Sequence, residues 1–305
     1  MSLIFIFIDG IGIGPAADSN PFSRFADKLP GWELLLNGRS LTAGETFPTD
    51  KNHLISGIDA NLDIEGLPQS GTGQTALFTG QNAAKVVGRH FGPYPHSKIR
   101  PLLKTESFFN KLHNAGKRAR FLNAYPPVFF ERAEKTKRWS SSTYMVKNAG
   151  HELNSTAEVM AGKAITAELF GDYWREKLGI NLPKRDGTDV AEIILNAAAE
   201  TDLLFLEYYL TDKAGHEQDA SFAFETLHRL DQVFTPLLNN LSEHTLLISS
   251  DHGNLEDLGR KTHTRNPVPL IAKGPLAGHF SEVKSITDVT PAMLSSFGAA
   301  EFSEN

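Results

Sequence analysis

Residues 3–8 (LIFIFI) form an unbroken apolar run, without the alternation of a strand that keeps one face in water. A strand covered by helices on both faces reads this way. Runs of the same kind recur at 202–207 (DLLFLE) and 245–249 (TLLIS), with a shorter one after a proline at 268–272 (VPLIA), and 118–125 (RARFLNAY) reads as a further strand. Helical patterns fall between them, at 75–85 after a glycine-rich turn, 107–115 ending at Gly116, 190–199 and 221–241. Buried strands alternating with helices predict an α/β fold, a doubly wound and mostly parallel sheet sandwiched by helices. The stretch 126–185 breaks the rhythm with Pro126-Pro127, a basic run over 132–138 and serines at 140–142. It is expected to be a small inserted cap, leaving 1–125 and 186–305 as the core. No internal repeat interrupts this reading.

Composition narrows the chemistry. The 305 residues are 40% hydrophobic, enough for a sizeable core, and the formal charge of −6 offers no basic excess for a nucleic-acid surface. An anionic substrate must then be handled locally, by metals or clustered arginines. The absence of cysteine excludes disulfides, thiolate catalysis and Cys-based zinc sites, and leaves His, Asp and Glu as ligands. The run at 3–8 is too short for a secretory apolar segment or a membrane span and ends on a carboxylate, Asp9, so a cytoplasmic protein without membrane contact is expected. Nothing in the pattern indicates an oligomeric state.

Chemically suggestive residues follow the predicted strands. Asp9 comes after the first, Asp212 and His216 (DKAGH) shortly after the second, Asp251 and His252 directly after the third, and His263 eleven residues later in THTRNPVP. In open α/β sheets that edge is where sites form. The D-x-x-x-H spacing puts Asp212 and His216 on one face if a helical turn follows the strand. A lone Asp at a strand end is more often a helix cap, and a lone His a satisfied surface or core group. The ordered set of three carboxylates and three imidazoles instead suits divalent cations such as Zn²⁺ or Mn²⁺. The segment Ser70-Gly71-Thr72-Gly73-Gln74-Thr75 opens a helix whose N–H groups can cradle a phosphate. Thr75 is then the expected nucleophile, with Ser70 and Thr72 as rivals, since a metal-bound hydroxyl needs no neighbouring base. Gly10, Gly12 and Gly14 lack the dinucleotide-binding spacing, and Pro15 follows them directly.

Taken in order, Asp9-Gly10, GQTALFTG, DKAGH, SDHGN and HTRNPVPLI resemble the alkaline phosphatase superfamily, closest to its cofactor-independent phosphoglycerate mutase and phosphopentomutase branch. SITDVTPAMLSSFG near the C-terminus resembles that family's closing helix. The resemblance implies two divalent cations per chain, Mn or Zn with Mg as a further option. One would be held by Asp212, His216 and His263, the other by Asp9, Asp251, His252 and the Thr75 oxygen. It also implies a transiently phosphorylated Thr75 and a small phosphorylated substrate. Arg89, His90, His96, Lys98 and Arg100 in RHFGPYPHSKIR, together with Arg265, are candidate phosphate clamps, and Arg132, Lys135, Lys137 and Arg138 could face the cleft from the cap. The family's mutases carry a much larger insertion than 126–185, which favours a hydrolase over a phosphomutase. A metal-binding scaffold without turnover is the non-enzymatic alternative.

Overall fold

A computed structural model describes residues 1–47 and 49–298. Six strands lie in one sheet: β1 (Leu3–Ile8), β2 (His53–Ile58), β3 (Ala119–Phe121), β4 (Leu203–Tyr208), β5 (Thr245–Ser249) and β6 (Val268–Lys273), in the spatial order β2-β6-β5-β1-β4-β3. β1, β3, β4 and β5 run parallel, while β6 is antiparallel to both its neighbours, β5 and β2. The expected doubly wound, mostly parallel α/β sandwich is the observed one. β2 (HLISGI) escaped the sequence reading because it is an edge strand, and its polar residues break the apolar run that marks the buried ones.

The sheet buries both faces by strict alternation. Ile4, Ile6 and Ile8 of β1, with Leu204, Leu206 and Tyr208 of β4, pack into one core. Over them lie the helices Pro30–Leu35, Gly187–Ala199 and Ala220–Asn239, through residues such as Trp32, Ile194 and Phe234. Leu3, Phe5, Phe7, Leu203 and Phe205 point the other way, against the helices Ser70–Thr79, Phe108–Asn114, Ser141–Asn148 and Ile286–Ser296. Phe205 sits at the centre of that second core, with ring centroids 5.3–5.5 Å from those of Phe5, Phe78, Phe108 and Phe121. Among the described residues no helix is long and apolar enough to cross a membrane.

Three expected helices form with recognisable caps. Ser107 opens Phe108–Asn114, Asp186 opens Gly187–Ala199 and Asp219 opens Ala220–Asn239, each side chain accepting backbone N–H bonds in the first turn. The helix expected over 75–85 differs. It runs Ser70–Thr79, ends on Gly80 in the left-handed region, and is followed by a separate short helix, Ala83–Val87. The glycine-rich stretch is therefore the first turn of the helix and not a loop before it. The strand expected over 118–125 forms only over 119–121; Leu122 N still donates to Phe205 O at 2.9 Å, and the side-chain amide of Asn123 then reaches Glu207. It donates to Glu207 O at 2.7 Å and accepts from Glu207 N at 2.8 Å.

Segment 126–185 forms the helices Pro127–Thr136, Ser141–Asn148, Thr156–Met160 and Asp172–Glu176. Met145 and Val146 join the core around Phe205, and Ile165, Leu169 and Phe170 join the opposite one. Ala124, Val159, Ala164, Trp174 and Leu182 make a third, small cluster.

Candidate metal centre and active site

One edge of the sheet collects the polar residues. Asp9 follows β1, the helix Leu210–Glu217 after β4 carries Asp212 and His216 one turn apart, and Asp251-His252 follows β5. His263 precedes a strand, yet it reaches the same edge because β6 is reversed relative to β5 and begins where its neighbours end. The six side chains form two groups, Asp212 with His216 and His263, and Asp9 with Asp251 and His252; ligand atoms within each group lie within 4.8 Å of one another. The first group opens to solvent at His216, and the second is buried. The rings of His252 and His263 stack at 3.8 Å and join the two.

Each side chain is aimed by something behind it. His263 Nδ1 donates to Pro68 O at 2.6 Å and His216 Nδ1 to Lys261 O at 2.7 Å, which turns both Nε2 atoms inward, 3.1 Å apart and 3.3–3.4 Å from the Asp212 carboxylate. Asn254 Nδ2 donates to Asp212 Oδ1 at 2.7 Å, and Gln74 Nε2 donates to Asp9 Oδ2 at 2.9 Å. Glu256, fully buried, ties three loops together: Oε2 accepts from Gly12 N at 2.9 Å and Asn254 N at 2.8 Å, while Oε1 accepts from Asn266 Nδ2 at 3.0 Å and from the Thr264 hydroxyl. Gly10 lies at φ +73°, and a Cβ there would come within 2.7 Å of Asp212 Cα, so the chain can pass only as glycine. Gln74, Asn254 and Glu256 were not singled out from the sequence, since their roles depend on loops brought together across the sheet.

The buried group lacks counter-charge. Burial first, then the charges of Asp251 and Asp212, push the Asp9 carboxyl well above its ordinary range. Burial and then Asp212 push Asp251 to about 8, and burial pulls His252 down to about 3. Asp212 is partly buried, which would raise it, but hydrogen bonds from His216 and His263 outweigh this and hold it below the usual carboxylate range. Both oxygens of Asp251, Asp9 Oδ1 and His252 Nδ1 are buried without a hydrogen-bond partner. Unsatisfied acceptors at that density are costly, and they fit cations coordinated by hard oxygen and imidazole ligands.

The hydroxyls of the glycine-rich helix do not share a face. Ser70 Oγ lies 3.0 Å from His252 Nε2, and Gln74, one turn on, reaches Asp9. Between them, a Cβ at Gly73 would stand 2.7 Å from Asp251 O, so glycine lets the helix lie against the β5 loop. Thr75, expected as nucleophile and metal ligand, instead donates its hydroxyl to Gly71 O at 2.7 Å within its own helix. Thr72 donates to Gln69 O at 3.1 Å. The physical reason is the earlier helix start, which puts Thr75 in the second turn, about 140° around the axis from Ser70 at ~100° per residue.

The expected phosphate clamps make contacts outside the two ligand groups. Arg265 donates to Gly66 O at 2.8 Å and adjoins His90, whose Nε2 faces Ile64 O at 3.3 Å. Arg100 donates to Pro95 O at 3.3 Å, His96 packs edge-on to Phe91, and Arg89 lies over the same Phe91 ring. Lys98 is exposed. None of the six forms a hydrogen bond with the six clustered ligands among the described residues.

A sheet whose strand-end loops gather two sets of oxygen and imidazole ligands is the frame of a metal-dependent enzyme. The chain belongs to the Metalloenzyme superfamily, whose family model matches residues 1–301. Its sequence resembles the 2,3-bisphosphoglycerate-independent phosphoglycerate mutase of Pyrobaculum islandicum, 33% identical over 126 residues that cover 40% of this chain and 30% of that protein. The corresponding mutase of Desulforudis audaxviator is 29% identical over 125 residues, covering 38% and 25%. The match thus spans less than a third of those relatives. The alkaline phosphatase from the Antarctic bacterium TAB5 superposes with a TM-score of 0.57 at 11% identity, over 97% of both chains, which is a likeness of fold.

Proposed function

We propose that this chain transfers the phosphoryl group of a small phosphorylated metabolite, with Ser70 rather than Thr75 as nucleophile. The observation that carries this is Ser70 Oγ, set 3.0 Å from His252 Nε2 at the first position of a helix whose next turn reaches Asp9. Asp212, His216 and His263 would hold one cation, and Asp9, Asp251 and His252 the other; Mn²⁺ and Zn²⁺ suit the donor set best, with Mg²⁺ a further option. Cations bound there supply Lewis-acid stabilisation of phosphoryl charge and lower the pKa of a coordinated hydroxyl. Ser70 forms the ester bond to phosphorus as the leaving oxygen departs on the opposite side. The N-terminus of its helix favours the transferred anion, and Gln74 holds Asp9 in place, with Arg265 and His90 as candidate contacts for an entering substrate.

Hydrolysis, in which water accepts the phosphoryl group from Ser70, is our leading reading of the reaction, since the short 126–185 segment gives little to seal a phosphoenzyme from water. A mutase reading is favoured by the names of the sequence relatives. Incubating Mn²⁺- or Zn²⁺-loaded protein with 3-phosphoglycerate and with ribose 1-phosphate, and following free phosphate and isomers by NMR, separates the two. Phosphate release is expected. Quantitative isomer formation without phosphate would replace the hydrolase with a mutase, and no turnover of any ester would remove both.

A further inference from the structure

Glu207, at the end of β4, is a buried carboxyl that the phosphoryl chemistry leaves unused. It stands opposite Phe7 in the β1–β4 register and continues the row Leu203, Phe205 on the face covered by the Ser70–Thr79 and Ser141–Asn148 helices. Asp9 continues the row Phe5, Phe7 on the neighbouring strand, so the two carboxyls share one face of the sheet at one edge. They are close enough for the Glu207 charge to help raise the Asp9 carboxyl. The backbone N and O of Glu207 are both taken by the Asn123 side chain, and the residue is 8% exposed. Oε2 accepts from the Ser142 hydroxyl, and Oε1, which makes no hydrogen bond within the described residues and is not one of the fully buried atoms, reaches the surface.

The Glu207 carboxyl is thus largely covered, with one oxygen bonded inside the chain and the other open to the surface. Burial pushes it up to about 7, with the Ser142 hydroxyl pulling only partly back. Holding Ser142 explains one oxygen and leaves the other without a purpose inside the chain. What suits that oxygen is a hydrogen-bond donor brought in from outside, and what it opposes is a second anion.

We infer that Glu207 recognises the non-phosphoryl end of the substrate, selecting phosphate esters that present a hydroxyl there and rejecting those that present a carboxylate. This rests on the phosphoryl-transfer reading of the neighbouring centre and adds its specificity. It disfavours phosphoglycerate and favours polyol or sugar phosphates.

Glycerol 3-phosphate and 3-phosphoglycerate test this cleanly, because they share a carbon skeleton and differ in a hydroxymethyl against a carboxylate. Calorimetric binding of each, and of inorganic phosphate, is measured at pH 8 on Mn²⁺-loaded Ser70→Ala protein, which cannot turn them over. Glycerol 3-phosphate is expected to bind at least ~10-fold more tightly, and adding Glu207→Gln, which keeps the Ser142 contact, should narrow that preference by about tenfold. Ser142→Ala, which removes the group orienting the carboxyl without altering the strand, should narrow it by about threefold. Equal affinities, or a preference unmoved by both variants, would overturn the inference while phosphate binding kept the phosphoryl site intact. Failure to bind inorganic phosphate at all would remove that site, and this inference with it.

Discussion

At the scale of single residues, the centre works by concentrating negative charge. Asp251 is pushed to about 8 by burial and then by Asp212, so near neutral pH the metal-free protein holds a proton there that a cation must displace. The raised carboxyls of Asp251 and Asp9 fix the sign: cation binding releases protons near pH 7, and affinity rises with pH through neutrality. Calorimetry in buffers of different ionisation enthalpy measures the release, and an affinity flat from pH 6 to 8 with no proton released would contradict it. The grouping of these six side chains was legible in the sequence as an ordered set of oxygen and imidazole donors near the ends of buried apolar runs, although each alone has an ordinary structural reading. Which hydroxyl faces the two ligand groups was less legible. Glycines at 71 and 73 read as a turn, which moved the expected helix start to Thr75, whereas the close approach of Asp251 O to Gly73 shows that they belong to the helix. Glu256 and Asn254 left no local signal, since each acts on loops far away in the chain.

At the scale of elements, the site is only as rigid as the strands that end in it. Phe205 is fully buried and packs its ring on Phe5, Phe78, Phe108 and Phe121, joining β1, β3 and β4 to the helix that carries Ser70. Phe205→Ala should cost about 3–5 kcal/mol in urea unfolding, the range for deleting a large core side chain. A loss below ~1 kcal/mol would mean that the second core can collapse around the gap. The apolar runs disclosed β1, β4 and β5 nearly to the residue, and β6 to within one. β2 stayed hidden because an edge strand need not be apolar on both faces. β3 was read too long, because beyond Leu122 the extended backbone leaves β4 and bridges instead to Ile165 and Asn154, while the Asn123 side chain keeps contact with Glu207. The segment 126–185 looked irregular in sequence, yet its Ser141–Asn148 helix lies in the main core and brings Ser142 to Glu207.

At the scale of the whole molecule, the fold brings three strand ends and the start of one reversed strand to a single edge, and that convergence gathers two groups of candidate cation ligands from residues spread between positions 9 and 263. The sheet supplies the rigid frame, and the Ser70–Thr79 helix the hydroxyl proposed to react. The central claim is that Ser70 takes the phosphoryl group during turnover. It is tested most directly by quenching metal-loaded protein in acid during reaction with a phosphate ester and mapping the phosphate by peptide mass spectrometry. The account predicts phosphoserine at position 70, lost in Ser70→Ala together with at least ~10³-fold of the rate, and retained in Thr75→Val. Phosphate on Thr75, or full turnover by Ser70→Ala with no phosphorylated residue, would contradict it.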